Sequence, residues 1–174
     1  DNEIAINLTA GSASNTIYKN IISSSNIGVN LQSSGNIIYA NTISESQVGI
    51  SLSNSNGNLI YHNNFVDNTV QASISTSTAN TWDDGYPSGG NYWSTHINID
   101  QYSGSDQTIP GSDGIADAQY AIAVNNIDRY PLAQPLNLHD IGITSVIPSK
   151  TIVGQGFTLD IDLRILNYGM FSET

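Results

Sequence analysis

Residues 15–22 read NTIYKNII, residues 36–43 read NIIYANTI and residues 58–65 read NLIYHNNF. The copies begin at Asn15, Asn36 and Asn58, so the offsets are 21 and 22 residues. Self-similarity at this period is the mark of a solenoid, in which each repeat is one layer of a stack. A second half follows each copy: GVNL from Gly28, GISL from Gly49 and the weaker QASI from Gln71. Ile17 recurs as Ile38 and Ile60, and within a copy apolar residues stand two apart, as in Val29–Leu31 and Ile50–Leu52. That is strand periodicity, and Ile and Val suit a pleated, half-buried surface. Ser, Asn and Gly between the runs supply the turns.

Each copy therefore reads as a coil of two or three short strands. Stacked at roughly 4.8 Å, strands in successive coils pair in parallel. Like residues then form columns. Ile17, Ile38 and Ile60 form one column inside, and Asn20, Asn41 and Asn63 form an amide ladder at a bend. Tyr18, Tyr39 and Tyr61 stack outside. Residues 3–8, EIAINL, match the second half of a coil, with Ile6 and Leu8 standing where Val29 and Leu31 stand later. The expected class is all-β: a right-handed parallel β-helix over residues 1–79, a capping segment over 80–135, a linker at 136–138 and a partial Ig-like sandwich over 139–174. No Gly-x-Asp nonapeptide occurs, so a calcium-roll helix is not expected.

The chain of 174 residues is 39% hydrophobic, enough for a core, but only 11% charged, with 4 Lys and Arg and a formal net charge of −11. So few basic groups leave no electrostatic footprint for nucleic acid and no attraction to anionic membranes. Cysteine is absent, which removes disulfides and thiolate chemistry. No apolar run has the length of a membrane span, so direct membrane insertion is not expected. The Ser, Thr, Asn and Gln surface suggests an extracellular, cell-surface setting. The chain opens already in strand register, without a signal peptide, and reads as a processed or excised piece whose missing coils or partner chain would cover its open end. Asn7-Leu8-Thr9 is a glycosylation sequon, either used or a chance match in an Asn-rich chain.

Two segments after the repeats carry candidate sites. In NTWDDGYPSGGNYW, the large rings Trp82, Tyr86, Tyr92 and Trp93 either shield the last core layer or form a stacking platform for polysaccharide. In DQYSGSDQTIPGSDGIAD, the acids Asp100, Asp106, Asp113 and Asp117 crowd among Gly, Ser and Pro. Either a Ca2+ ion relieves their repulsion or their side chains cap turns. EF-hand spacing is absent. Arg129 is expected to pair with one of these loop acids.

The order N-x-I-x-x-N-x-I, then G-I-x-L, resembles the repeat of right-handed β-helices such as pectate lyases and NosD-type proteins. The run WDDGYPSGGNYW, then GSDGIADAQYAI, then NNIDRYPL is similar to the C-terminal part of NosD-like proteins of archaeal cell surfaces, where this segment closes the helix. That resemblance covers about residues 15–135. The family name implies copper-enzyme maturation, but one Met (Met170) and three scattered His (His62, His96, His139) offer copper no soft or imidazole cluster. Residues 139–174 resemble the opening of a CARDB-type Ig-like domain, with strands expected at Ile141–Ile143 and Phe157–Ile165 and a turn at Asn167-Tyr168-Gly169. Such a fragment needs further strands, supplied by its own chain or by strand addition from another copy, which makes filament formation an expectation.

Catalysis finds little support in these residues. Lys19, which could serve a lyase, is replaced by Ala40 and His62 in the next coils. The adjacent Asp83 and Asp84 could serve a glycosidase only if one met Glu45 or Asp67 across a groove. No G-x-S-x-G elbow occurs. The expected function is a structural or adhesive surface module, with partners among other copies, neighbouring surface-protein domains or polysaccharide. Carbohydrate binding or polysaccharide degradation is the alternative.

Overall fold

A computed structural model describes residues 2–76, 79–137, 141–148 and 161–167. Every regular element among them is a strand. The chain divides into two compact units, Asp1–Leu136 and Asn137–Thr174.

The first unit opens with β1 (Asn2–Leu8), which lies one layer below the first full coil. Three coils follow: β2 (Thr16–Tyr18), β3 (Ile21–Ser23) and β4 (Ser25–Leu31); β5 (Ile37–Tyr39), β6 (Thr42–Ser44) and β7 (Val48–Ser53); β8 (Leu59–Tyr61), β9 (Asn64–Val66) and β10 (Val70–Ser75). Like strands stack in parallel into three sheets, β2-β5-β8, β3-β6-β9 and β1-β4-β7-β10. The register is the one the repeats dictate: Ile17 pairs with Ile38 and Ile38 with Ile60, while Ile6 lies under Val29 and Leu8 under Leu31. The result is a parallel β-solenoid. Its columns of Ile, Val and Leu are buried, and Ile38, Ile43, Ile50, Leu52 and Ile60 are 0% exposed. Removing each such side chain from water contributes about 1.5–3 kcal/mol. The outer tyrosines stack as their period requires, with ring centroids 5.4 Å apart for Tyr18 and Tyr39 and 5.5 Å for Tyr39 and Tyr61.

The corners hold the polar order. Lys19, Ala40 and His62 occupy one corner with φ of 56°, 55° and 54°, and Ser24, Glu45 and Asp67 the next with φ of 55°, 52° and 52°. These are left-handed conformations at residues with a Cβ, each costing about 1–2 kcal/mol in isolation. The stack holds them there. Immediately after the first of these corners, Asn20 directs both its backbone N–H (3.0 Å) and its Nδ2 (2.9 Å) to Asn41 Oδ1. Asn41 treats Asn63 in the same way, at 3.1 and 2.9 Å. A second ladder, not anticipated above, joins Asn15, Asn36, Asn58 and Asn80 by the same pair of bonds. Its signal was the Asn that opens every copy. Glycines serve the packing: a Cβ on Gly49 would lie 2.6 Å from the Gln71 carbonyl oxygen.

The repeat does not stop at residue 79. Thr81 forms a parallel bridge with Leu59, and β11 (Tyr92–Trp93) pairs in parallel with β9, which adds a fourth, partial coil. Asn80 and Asn91 take the ladder positions of Asn58 and Asn63, and Trp93 stands over Phe65. They are 11 residues apart rather than five, and the extra six form the loop DDGYPS between them. Past it come β12 (Tyr102–Ser103), β13 (Ile109–Pro110), β14 (Tyr120–Ala123) and β15 (Asn126–Asp128), with β12–β13 and β14–β15 forming antiparallel hairpins. Tyr120 and Ile122 pack on the core above β10. Leu136 is pinned to the outer side of β9 by two bonds with the Asn64 side chain, at 2.7 and 2.9 Å.

In the second unit, β16 (Ile141–Pro148) and β17 (Ile161–Asn167) form a two-stranded antiparallel sheet. This is less than the Ig-like sandwich expected from the sequence. Phe157 to Asp160, Tyr168 and Gly169 lie outside the described residues, so the strand from Phe157 is described only from Ile161 and the turn only at Asn167.

Candidate functional site

The closed end of the solenoid gathers the chain's buried polar chemistry. Each Asn in a ladder accepts at Oδ1 from the coil before it, so each ladder needs an acceptor at its far end. β15 supplies both. Asn126 Oδ1 takes the Asn80 N–H at 3.2 Å and the Trp82 indole N–H at 3.1 Å. Asp128 Oδ2 takes the Asn91 N–H at 2.7 Å, its Nδ2 at 3.3 Å and the Trp93 indole N–H at 2.9 Å. Strand alternation turns residues 126 and 128 to the same side, so one three-residue strand ends both ladders. Asn126, Asp128, Trp82 and Trp93 are all 0% exposed. The buried donors of Asn80, Trp82, Asn91 and Trp93 are thus matched, as a low-dielectric interior demands.

Burial pushes the Asp128 carboxyl up to about 7, against the pull of the Asn91 and Trp93 donors, with neighbouring Asp83 adding to the rise. Gly90 makes room for it, since a Cβ there would overlap the carboxylate.

Next to this end, Arg129 grips Asp83 with two prongs, Nη2 to Oδ1 at 2.6 Å and Nε to Oδ2 at 3.0 Å, and its backbone N–H adds a third bond at 3.1 Å. The Asp83 side chain is 1% exposed and that of Arg129 is 58% exposed. Burial alone would raise the Asp83 carboxyl, but these bonds and the cation hold it below its usual range. Arg129 therefore pairs with Asp83 and not with an acid of the 100–117 loop. A bidentate fork needs a carboxylate whose plane it can meet, and Asp83 offers that at the start of the DDGYPS loop. Its neighbour Asp84 accepts from Ser88 Oγ at 2.9 Å, and Ser88 Oγ lies 3.4 Å from His62 Nε2. This is not a nucleophile with its base: His62 Nε2 sits 2.7 Å from the Ser88 carbonyl oxygen, so it carries the proton and donates.

The aromatic platform does not form as a unit. Trp82 and Trp93 are core residues, Trp93 stacking on Phe65 at 4.5 Å and on Tyr120 at 4.6 Å. Their faces are spent on packing and cannot meet a sugar. Tyr86 is 38% exposed, with its hydroxyl accepting from the Gly104 N–H, and Tyr92 is half-buried.

The acid cluster is corrected as well. Asp100 accepts from the N–H groups of Asp113 and Gly114, Asp113 from those of Gly104 and Ile115, and Asp117 from those of Gln101 and Tyr102. Asp106 is exposed in the turn between β12 and β13. The carboxylates knit the loop instead of converging on Ca2+. Among the described residues no group of three His, Cys, Asp or Glu is placed to hold a metal. Copper fits no better. His96 Nε2, like that of His62, donates to a backbone carbonyl, at 2.8 Å from Ala118, while His139 and Met170 lie outside the described residues. Asn7 is exposed on β1.

A family model described as periplasmic copper-binding protein (NosD) matches residues 1–97, the coils and the start of the closing segment. No curated protein and no solved structure gives a significant match.

Proposed function

The chain belongs to the NosD family, and from that premise we propose that it is a non-catalytic structural and adhesive module of the cell surface. The observation that supports this reading is the pair of ladders. They run through every coil, end on one strand and commit the buried polar groups to stiffness. The conspicuous ion pair, Asp83–Arg129, and the Asp84–Ser88–His62 chain bind the closing loop to the last coil. No helix among the described residues is long and apolar enough to cross a membrane. In this reading the setting is an archaeal type of cell surface, outside the cytoplasm, and the second unit is the beginning of a CARDB-type domain.

Adhesion would use the second unit. A lone two-stranded sheet is marginal in water, and Val146, Ile147 and Ile161 on it are more than half exposed. Strand addition by another copy or a neighbouring surface domain would complete it. Sedimentation over a hundredfold concentration range tests this. Concentration-dependent assembly that Ile147→Lys abolishes is the expected result, and a strict monomer throughout would refute the adhesive role.

Carbohydrate binding is the alternative. It is favoured by two clefts that share Gln119 and Arg129 as walls, one with Asn80 and Asn125, the other with Asp106 and Tyr130. Amide, carboxylate and guanidinium groups suit hydroxyl-rich ligands. Titration with soluble neutral polysaccharides, giving heat that Gln119→Ala removes, would favour it over the structural reading.

A further inference from the structure

We propose that Asn7 is an acceptor for an N-linked glycan. The chain holds 21 asparagines and one N-x-Ser/Thr sequon, Asn7-Leu8-Thr9. The fold explains why the ladders contain none. Two residues after each ladder Asn the chain must point into the core, and the residues there are Ile17, Ile22, Ile38, Ile43, Ile60, Phe65, Trp82 and Trp93. Ladder asparagines also use both side-chain atoms, as Asn41 and Asn63 do.

Asn7 differs on every count. It lies on β1 with an outward, exposed side chain, while Leu8 beside it packs against the core. Its Oδ1 accepts from Asn30 Nδ2 at 2.9 Å, which fixes the amide and spares Nδ2, the atom that takes the sugar. Thr9 is exposed where the strand ends and the chain turns, the Ser12 N–H bonding the Thr9 carbonyl at 3.0 Å. The donor class is a lipid-linked oligosaccharide diphosphate. Asn7 Nδ2 bonds to the anomeric carbon, the bond from that carbon to the phosphate oxygen breaks, the lipid diphosphate leaves and Nδ2 gives up one proton. Nothing is oxidised or reduced. A glycan at this atom displaces no packed side chain, so the modified chain keeps its fold.

The test secretes the full chain through a host that glycosylates N-x-Ser/Thr sites and measures intact mass, peptide maps and melting. In the expected result the wild type carries sugar on the Asn7 peptide, Asn7→Gln and Thr9→Ala carry none, and all three melt within about 2 °C of one another, since exposed substitutions change stability little. An unmodified Asn7 peptide in the folded, secreted wild type overturns the proposal. So does a glycosylated wild type that melts far below Asn7→Gln, because Nδ2 would then be needed by the fold.

Discussion

The coils and the closing segment bury the same kinds of residue by opposite means. In the three full coils the stacked positions recur 21 or 22 residues away, because the layer above is a copy. In the closing segment the partners lie 35 to 46 residues apart, as in Trp93–Asp128, Asn91–Asp128, Trp82–Asn126 and Arg129–Asp83. A repeat can pass an unpaired donor on to the next layer indefinitely. An end cannot, and the chain must leave the repeat to fetch the groups that finish it. The cost of a solenoid's polarity is therefore concentrated in its last layer.

Breaking that layer should have the largest effect. Trp93→Ala removes a ring stacked on two others and a donor to Asp128, and we expect a loss of about 3–5 kcal/mol in urea denaturation. Ile43→Val in the coils should lose only about 0.5–1.5 kcal/mol. Equal losses would mean that the end is no more demanding than the middle. Gly90→Ala, which forces a methyl into the Asp128 carboxylate, should rival Trp93→Ala.

The ladders sharpen the contrast along their length. Asn63→Ala takes the acceptor from the buried Asn41 backbone N–H and one of the two donors from Asn91 Oδ1, while Asn20→Ala removes a single side-chain donor from the first coil. Each buried group left unpaired costs about 1–3 kcal/mol, so Asn63→Ala should melt well below Asn20→Ala.

A smaller effect separates the two ladder ends by pH. Burial holds the Asp128 carboxyl up at about 7 in the fold, against an ordinary value of 3.8. Between those values the folded chain holds a proton that the unfolded chain has released, so stability falls as pH rises through that window. Asp128→Asn, which copies the Asn126 end, should remove the decline and flatten the profile of melting temperature from pH 4 to 7. Asp83 has the opposite sign. Its stabilisation is present above 3.8 and is lost as pH falls through its lowered value.

The smallest expected change is at a corner. Glu45→Gly relieves a left-handed conformation at φ 52° but adds chain entropy to the unfolded state, and the two nearly cancel. A shift within about 1 kcal/mol is expected, by differential scanning calorimetry.

The coils were legible because their information is local and repeated. Asn80-Thr81-Trp82 and Asn91-Tyr92-Trp93 carry the same N-x-apolar signal, but the six inserted residues and the change from Ile to Trp hid it. The corner residues were misread in kind. Turn chemistry points to Gly and Asn, whereas Lys19, Ala40 and His62 are held left-handed by the stack and not by preference. The acid loop looked like a cation site because sequence shows carboxylates in proximity without showing the backbone N–H groups that satisfy them. Asn126 and Asp128, which finish both ladders, gave no warning beyond two polar residues separated by one.

The 21- and 22-residue spacing by itself determined a stack of parallel strands, since a period that repeats must put like on like. Where that stack ends, which acid is buried and which aromatic rings are core depended on segments far apart in the chain. Only folding brings them together, and only burial decides whether a carboxylate meets a cation, an N–H or water.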